Sequence, residues 1–407
     1  MSPPEVPVFA RQRIDSLDVL EVSKEVDVFD DDDKLFLLER RAIFSKTWIC
    51  VAHRSRFTKP GDYVAMELAT FPIFIILGKD NIARAFHNVC RHRAYTVTKK
   101  TAGSSLVLGC KYHGWSYDTK GKLLKAPQFD GIDGFDKTQN SLFAIHTCTD
   151  KGGFIHVNLD AGLNLEPPSC ASVVAFAAEH GIHARGSWIT GWDLKGDFNW
   201  KVAAQQPIST LALQEAPSAS SAAAAGLRAY LRLLVGSARK SAPKGANAGG
   251  SETPTSLNVS PITTLKMLPG SSLWLCITAF PLSAARTAVR CDVYSAASSF
   301  APAPSQAQLE QLEQGVAAWV RGLESSYVVV ESGPLSKQNE FLPMLREHLR
   351  EERMRGVEIM PGSRREGRSV EFMKGEQVCK ELEDLAGGGM PTACAVGGDG
   401  EKGGMEW

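Results

Sequence analysis

The chain has 407 residues, 43% of them hydrophobic and 22% charged, with 45 Lys and Arg against 45 Asp and Glu. That composition belongs to a globular protein long enough for two domains, or for one domain with a large insertion. A net charge of zero offers no pull on a nucleic acid or an anionic membrane surface, and no run of 18 or more apolar residues supplies a transmembrane helix. The N-terminal stretch MSPPEVPVFARQRIDSLDVL lacks a basic start followed by an apolar region, which predicts a cytoplasmic protein. Nine cysteines, odd in number and scattered, read as reduced thiols with some metal ligands among them, not as a disulfide framework.

In chain order, residues 1–34 form a polar segment that ends in Asp30 to Asp33. The helical pattern LFLLERRAIFSKTW follows at once, so the acidic run reads as a solvated helix start, where negative charge suits the helix dipole. From Tyr63 to Ala85 short apolar runs such as FPIFIIL alternate with the turn signals PGD and GKDN, the rhythm of an antiparallel sheet. More strands are expected in FAIHTCTDKGGFIHVNLD, then a helix in SVVAFAAEHGIHA and a strand leading into a helix at GWDLKGDFNWKV. Residues 216–256 turn rich in Ala, Ser, Pro and Gly and cannot build a core alone. Strand patterns return in ITTLKML, SLWLCITAF and TAVRCDVYS, followed by amphipathic helices around LEQLEQGVAAWVRGLESSY and NEFLPMLREHLREERMRG. Residues 376–407 read as a flexible tail with little to bury.

The chemistry concentrates in CRHRAYTVTKKTAGSSLVLGCKYHGW, Cys90 to Trp115, in loops of the first sheet. Cys90 and His92 stand two apart, Cys110 and His113 three apart, and seventeen residues separate the two pairs. A cluster of two irons and two sulfides with thiolates on one iron and imidazoles on the other needs four ligands, and each loop can supply one of each kind. Zinc is the competing reading, but zinc fingers usually pair Cys with Cys and His with His. Gly114 lets the backbone pass close to the cluster, and Trp115 gives an apolar wall against water.

Around that motif, LLERRAIFSKTWICVAHRSRF, PGDYV, FHNVCRHRAYTV, CKYHGWSYDTKGKLLKAP, GGFIHVNLD and GDFNWKVA follow one another in the order of a known family. The chain resembles the α-subunits of Rieske non-haem iron oxygenases, in the choline-monooxygenase-like and aromatic-ring-hydroxylating branch. The resemblance implies an α+β fold, with an all-β Rieske domain inserted in a helix-grip catalytic domain on an antiparallel sheet. It places the Rieske domain with its leading helix at 35–160, the catalytic-type domain at 161–375 and the 2Fe-2S cluster on Cys90, His92, Cys110 and His113. It also implies a mononuclear Fe(II), an electron-donating reductase, dioxygen, a small organic substrate and a homotrimer.

One part of the family pattern is missing. The two His ligands of the mononuclear iron follow the Asn-Trp-Lys segment in the family, whereas Asn199-Trp200-Lys201 is followed here by VAAQQPISTLALQEAP. No histidine occurs between His183 and His348. Gln205 and Gln206 stand near the place of the family's linking carboxylate, and an amide cannot replace its proton chemistry. Three explanations stay open: an error in the encoded sequence across residues 203–256, a lost iron site that leaves a Rieske electron carrier or partner subunit, or ligands of another kind. Glu324 and Glu331 read as solvated charges, and His180 and His183 as a pair on one helical turn. His348 is expected at the surface, while His53, His87, His146 and His156 are expected to pack or hydrogen-bond beside strands. Cys50, Cys148, Cys170, Cys276, Cys291, Cys379 and Cys394 show no ligand spacing and read as small apolar groups.

Overall fold

Aromatic and β-branched residues dominate the short runs of the first half, and there they form ten strands. The structure, a computed structural model, describes residues 33–206, 208, 254–296, 303–330, 341–361 and 369–385. Helix α1 (Asp33–Glu39) widens into a π-helical turn over Arg40–Phe44. The strands are β1 (Ile49–His53), β2 (Asp62–Leu68), β3 (Phe71–Leu77), β4 (Ala83–His87), β5 (Ala102–Ser104), β6 (Val107–Gly109), β7 (Ser116–Asp118), β8 (Leu123–Lys125), β9 (Ala144–Thr149) and β10 (Phe154–Asn158). Seven of them make one antiparallel sheet in the order β1-β10-β9-β4-β3-β2-β5, and β6-β7-β8 make a small second one. FPIFIIL becomes the nearly fully buried β3, because both faces of the large sheet are covered. Neither loop of the Cys-His motif lies in a strand: one follows β4 and the other joins β6 to β7.

In the second half, helix α2 (Ala171–Glu179) leads to β11 (Ser187–Gly196) and the short helix α3 (Trp200–Gln205). Strands β12 (Ser256–Ser260), β13 (Thr263–Met267), β14 (Leu273–Ser283) and β15 (Arg286–Ser295) complete an antiparallel sheet in the order β11-β15-β14-β13-β12. A 25-residue helix, α4 (Gln306–Val330), lies on that sheet. Leu312, Val316, Val320, Leu323 and Tyr327 recur at helical spacing on one face and pack against Leu275, Ile277, Val289 and Val293. Such a helix-on-sheet layer is the α+β architecture expected of the second half. The halves share core: Ile49 and Phe71 of the first sheet, Trp200, Ile262 and Phe280 belong to one buried cluster.

Helices α5 (Leu342–Arg355) and α6 (Val370–Leu385) return to the first half. Glu352 of α5 accepts from Arg41 Nε at 2.8 Å and holds His348 Nε2 at 3.0 Å. This corrects the expected surface placement of His348, which is 3% exposed because α5 turns it toward the α1 turn. A second correction concerns the expected tail at 376–407. Helix α6 runs on to Leu385, since Phe372, Glu376 and Cys379 find a surface to bury against. The low-complexity stretch up to residue 253, and Glu331 and Cys394, lie outside the described residues. No helix among the described residues is long and apolar enough to cross a membrane.

Candidate metal centre

The two Cys-His loops fold alike. Cys90 N donates to Tyr95 O at 2.7 Å and Ala94 N to Cys90 O at 3.0 Å; in the second loop Cys110 N donates to Trp115 O at 2.8 Å and Gly114 N to Cys110 O at 3.0 Å. Both turns close through a left-handed residue, Ala94 at φ 57° and Gly114 at φ 71°. Gly114 is suited to that conformation, whereas Ala94 adopts it against its Cβ.

This shared turn brings the four expected residues together. A hydrogen bond links the Cys90 and Cys110 thiols, holding Cys110 below the ordinary thiol range at about 6 and, with burial, pushing Cys90 up. The rings of His92 and His113 meet edge to face at 4.4 Å. Burial first and the neighbouring His113 second lower His92 to about 4, so the ring is kept as a neutral imidazole able to ligate a metal. Two thiols, of which one ionises readily, and two imidazoles on opposed loops are the donor set that a Rieske cluster takes. The residues fit the group.

Its surroundings exclude water and set hydrogen bonds. Trp115, fully buried, stacks on His92 at 5.2 Å and 8°, and Phe129 meets both rings edge-on. Tyr117 Oη lies 3.2 Å from Cys90 Sγ and accepts from Arg91 N at 3.1 Å. Once Cys90 ligates as a thiolate it has no proton to give, and the Tyr117 hydroxyl is then the donor to the sulfur. From α6, Glu376 takes His92 Nε2 at 3.0 Å and Arg93 Nε at 2.6 Å. The carboxylate occupies Nε2, so Nδ1 is the ring atom turned to metal chemistry. Tyr117 and Glu376 were not legible as site residues, since Glu376 is 284 positions from His92.

Residues 47–136 match the family of the Rieske 2Fe-2S domain. The carnitine monooxygenase oxygenase subunit of Acinetobacter baumannii is 37% identical over 133 residues, 33% of this chain and 36% of that protein. The chlorobenzene dioxygenase subunit alpha of a Cupriavidus strain is 32% identical over 130 residues, 32% of this chain and 29% of that protein. Its Rieske part is similar to that of the Rieske oxygenase α-subunits. The chain spans about a third of the length of the curated relatives it matches. A crystal structure of the quaternary ammonium Rieske monooxygenase CntA with L-carnitine superposes with TM-score 0.55 at 22% identity, covering 75% of this chain and 85% of that one. The Rieske β-domain and the helix-grip layer beyond it are therefore one shared fold.

Around α3, where the family's second iron is expected, the described residues offer it no ligand set. Asn199 caps α3 by accepting from Lys201 N at 3.0 Å, and Trp200 Nε1 and Lys201 Nζ both bind the buried Glu39 carboxylate of α1. A cavity of about 280 Å³ opens beside α3, lined by Lys201, Gln205, Asn258, Ser260 and Phe341 among others. Neither histidine nor carboxylate lines it, so the described residues do not fit a mononuclear iron there. His180 and His183 lie beyond the end of α2 at Glu179 instead of sharing a helical turn, and His180 Nε2 bonds Pro254 O at 3.0 Å. Glu324 accepts from Asp197 N at 3.0 Å on an exposed surface. His53, His87, His146 and His156 sit on strands as expected. Cys50, Cys276, Cys291 and Cys379 are buried, whereas Cys148 and Cys170 are only half-buried.

Proposed function

We propose that the chain is a Rieske-type oxidoreductase whose 2Fe-2S cluster is held by Cys90, His92, Cys110 and His113. The observation that carries this reading is the convergence of those side chains from two loops of the same turn geometry. When bound, the cluster supplies one-electron transfer. Trp115 and Phe129 keep water off it, Tyr117 directs a proton at the Cys90 sulfur, and Glu376 fixes the His92 ring. A separate reductase delivers electrons singly, and they serve the oxygen-dependent hydroxylation of a small organic substrate. The names of the relatives make carnitine and chlorobenzene the first compounds to try. Residues 35–160 are the Rieske unit with its leading helix, 161–375 the catalytic-type unit, and the working form is a cytoplasmic homotrimer.

A second reading, an electron carrier or partner subunit without the mononuclear iron, is favoured by the absence of any histidine between His183 and His348. Anaerobic reconstitution followed by iron, sulfide and dioxygen-uptake measurements tests both. Two irons and two sulfides per chain, with a potential of about −150 to +300 mV, are expected of the cluster. A third iron that supports substrate-dependent oxygen uptake establishes the oxygenase; two irons alone establish the carrier. A colourless, iron-free chain overturns both. Replacing His92→Cys or His113→Cys shifts or bleaches the visible spectrum, and an unaltered spectrum contradicts the ligand assignment.

A further inference from the structure

A second set of metal-binding atoms gathers on the β9–β10 hairpin. Cys148 and Asp150 are two residues apart, so they leave the strand on the same side, and Cys148 stands directly opposite His156 in the antiparallel pair. Asp150 is oriented by the turn: its Oδ1 accepts from Gly153 N at 2.9 Å and Phe154 N at 3.0 Å, which leaves Oδ2 facing His156 Nε2 at 3.0 Å. Cys170, the residue just before α2, closes over the same nitrogen, its Sγ 3.7 Å away.

The donor atoms of Asp150, His156 and Cys170 all lie within 4.8 Å of one another, and among the described residues they form the only such group. Ligands of a tetrahedral zinc ion, with bonds of about 2.0–2.3 Å, stand about 3.3–3.8 Å apart, so 3.0 and 3.7 Å need little adjustment. An Asp–His hydrogen bond alone accounts for two of these groups. It leaves unexplained why two thiols adjoin them.

We propose that Asp150, His156 and Cys170, with Cys148 in the fourth position, form a site for a zinc-class divalent cation that clips the β9–β10 hairpin to α2. The site joins the last hairpin of the Rieske half to the first helix of the second half, so its role is structural. It stands independently of the cluster reading, because none of its ligands is shared with the Rieske loops.

The test uses the full chain with its iron already loaded, titrated with zinc against a competing chelator. One zinc per chain is expected in addition to the iron, falling at least tenfold in Cys170→Ser and His156→Asn while iron content and visible spectrum stay unchanged. A measurement on the unsubstituted chain covers the case in which those variants do not fold. Zinc should slow iodoacetamide alkylation of Cys148 and Cys170, mapped by mass spectrometry, at least tenfold. Equal alkylation with and without zinc, or full zinc retention by both variants, overturns the proposal. Loss of iron with zinc binding intact would instead count against the Rieske assignment alone.

Discussion

At the scale of single residues, two hydrogen bonds act on the proposed cluster with opposite sign. Tyr117 directs a proton to the Cys90 sulfur, and such a bond strengthens as the cluster gains an electron. Glu376 places a carboxylate on His92 Nε2 and so favours the oxidised, more positive state. A hydrogen bond to a charged group is worth roughly 1.5–3 kcal/mol, and only part of that differs between oxidation states. We expect Tyr117→Phe to lower the potential and Glu376→Gln to raise it, each by roughly 60 mV, the equivalent of a tenfold step for one electron. Redox titration followed by visible absorption reads both, and shifts of the same sign would contradict the arrangement. The four donors were legible in the sequence because each pair is local to one loop. Tyr117 belongs to the neighbouring strand β7, and Glu376 is brought in by a helix almost three hundred residues away, so no spacing rule could announce either. The Asp150, His156 and Cys170 set was missed for the same reason: α2 must fold back before its thiol reaches the hairpin.

At the scale of elements, α6 is held against the cluster loops by shape. Glycine in a helix interior ordinarily costs about 1 kcal/mol relative to alanine, so an exposed Gly→Ala change stabilises. Gly375 reverses that sign. A Cβ there would lie 2.3 Å from Phe129 Cδ1, and Phe129 is fully buried against Trp115 and Phe372. Neither ring nor helix can give way without opening the wall around His92. Gly375→Ala is therefore expected to lower the melting temperature and to shorten the lifetime of the visible spectrum under an iron chelator, with helical circular dichroism kept. A rise in melting temperature would mean that α6 does not seat here. Strands such as β3 and helices such as α4 were readable because their periodicity is strong and their burial one-sided or complete. The fate of α6 was not readable, since its sequence carries Phe372, Gly375 and Cys379 without saying which surface they meet.

At the scale of the whole molecule, the two halves meet around a histidine that has no room for a second proton. His53, at the end of β1, is enclosed by Phe154, Trp274 and Tyr294. Its Nε2–H donates to Gly152 O at 2.9 Å, so Nδ1 is the acceptor for Ser55 Oγ at 2.7 Å and for the Ser55 amide. Burial lowers His53 from 6.5 to about 4, and burial alone does the same to His87 on β4. Because these folded-state values lie below the unfolded one, the unfolded chain takes up protons first as the pH falls. Stability is therefore complete above about pH 6.5 and is lost progressively down to about pH 4, by roughly 3 kcal/mol for each histidine. That is a large share of the 5–15 kcal/mol typical of a folded protein. Carboxylates do not confuse the window: Glu352, held down to about 2 by His348 and Arg41 against the opposing effect of burial, contributes its loss only as the pH falls through the ordinary carboxylate range. Urea unfolding at pH 7 and pH 4.5 measures the effect, and comparison with His53→Asn isolates one residue, because metal binding is common to both chains. With His92 likewise lowered to about 4, three histidines share the window, and the variant should lose close to a third of the stability change across it whatever its stability at pH 7. An unchanged slope would place the acid sensitivity elsewhere and leave His53 as packing alone.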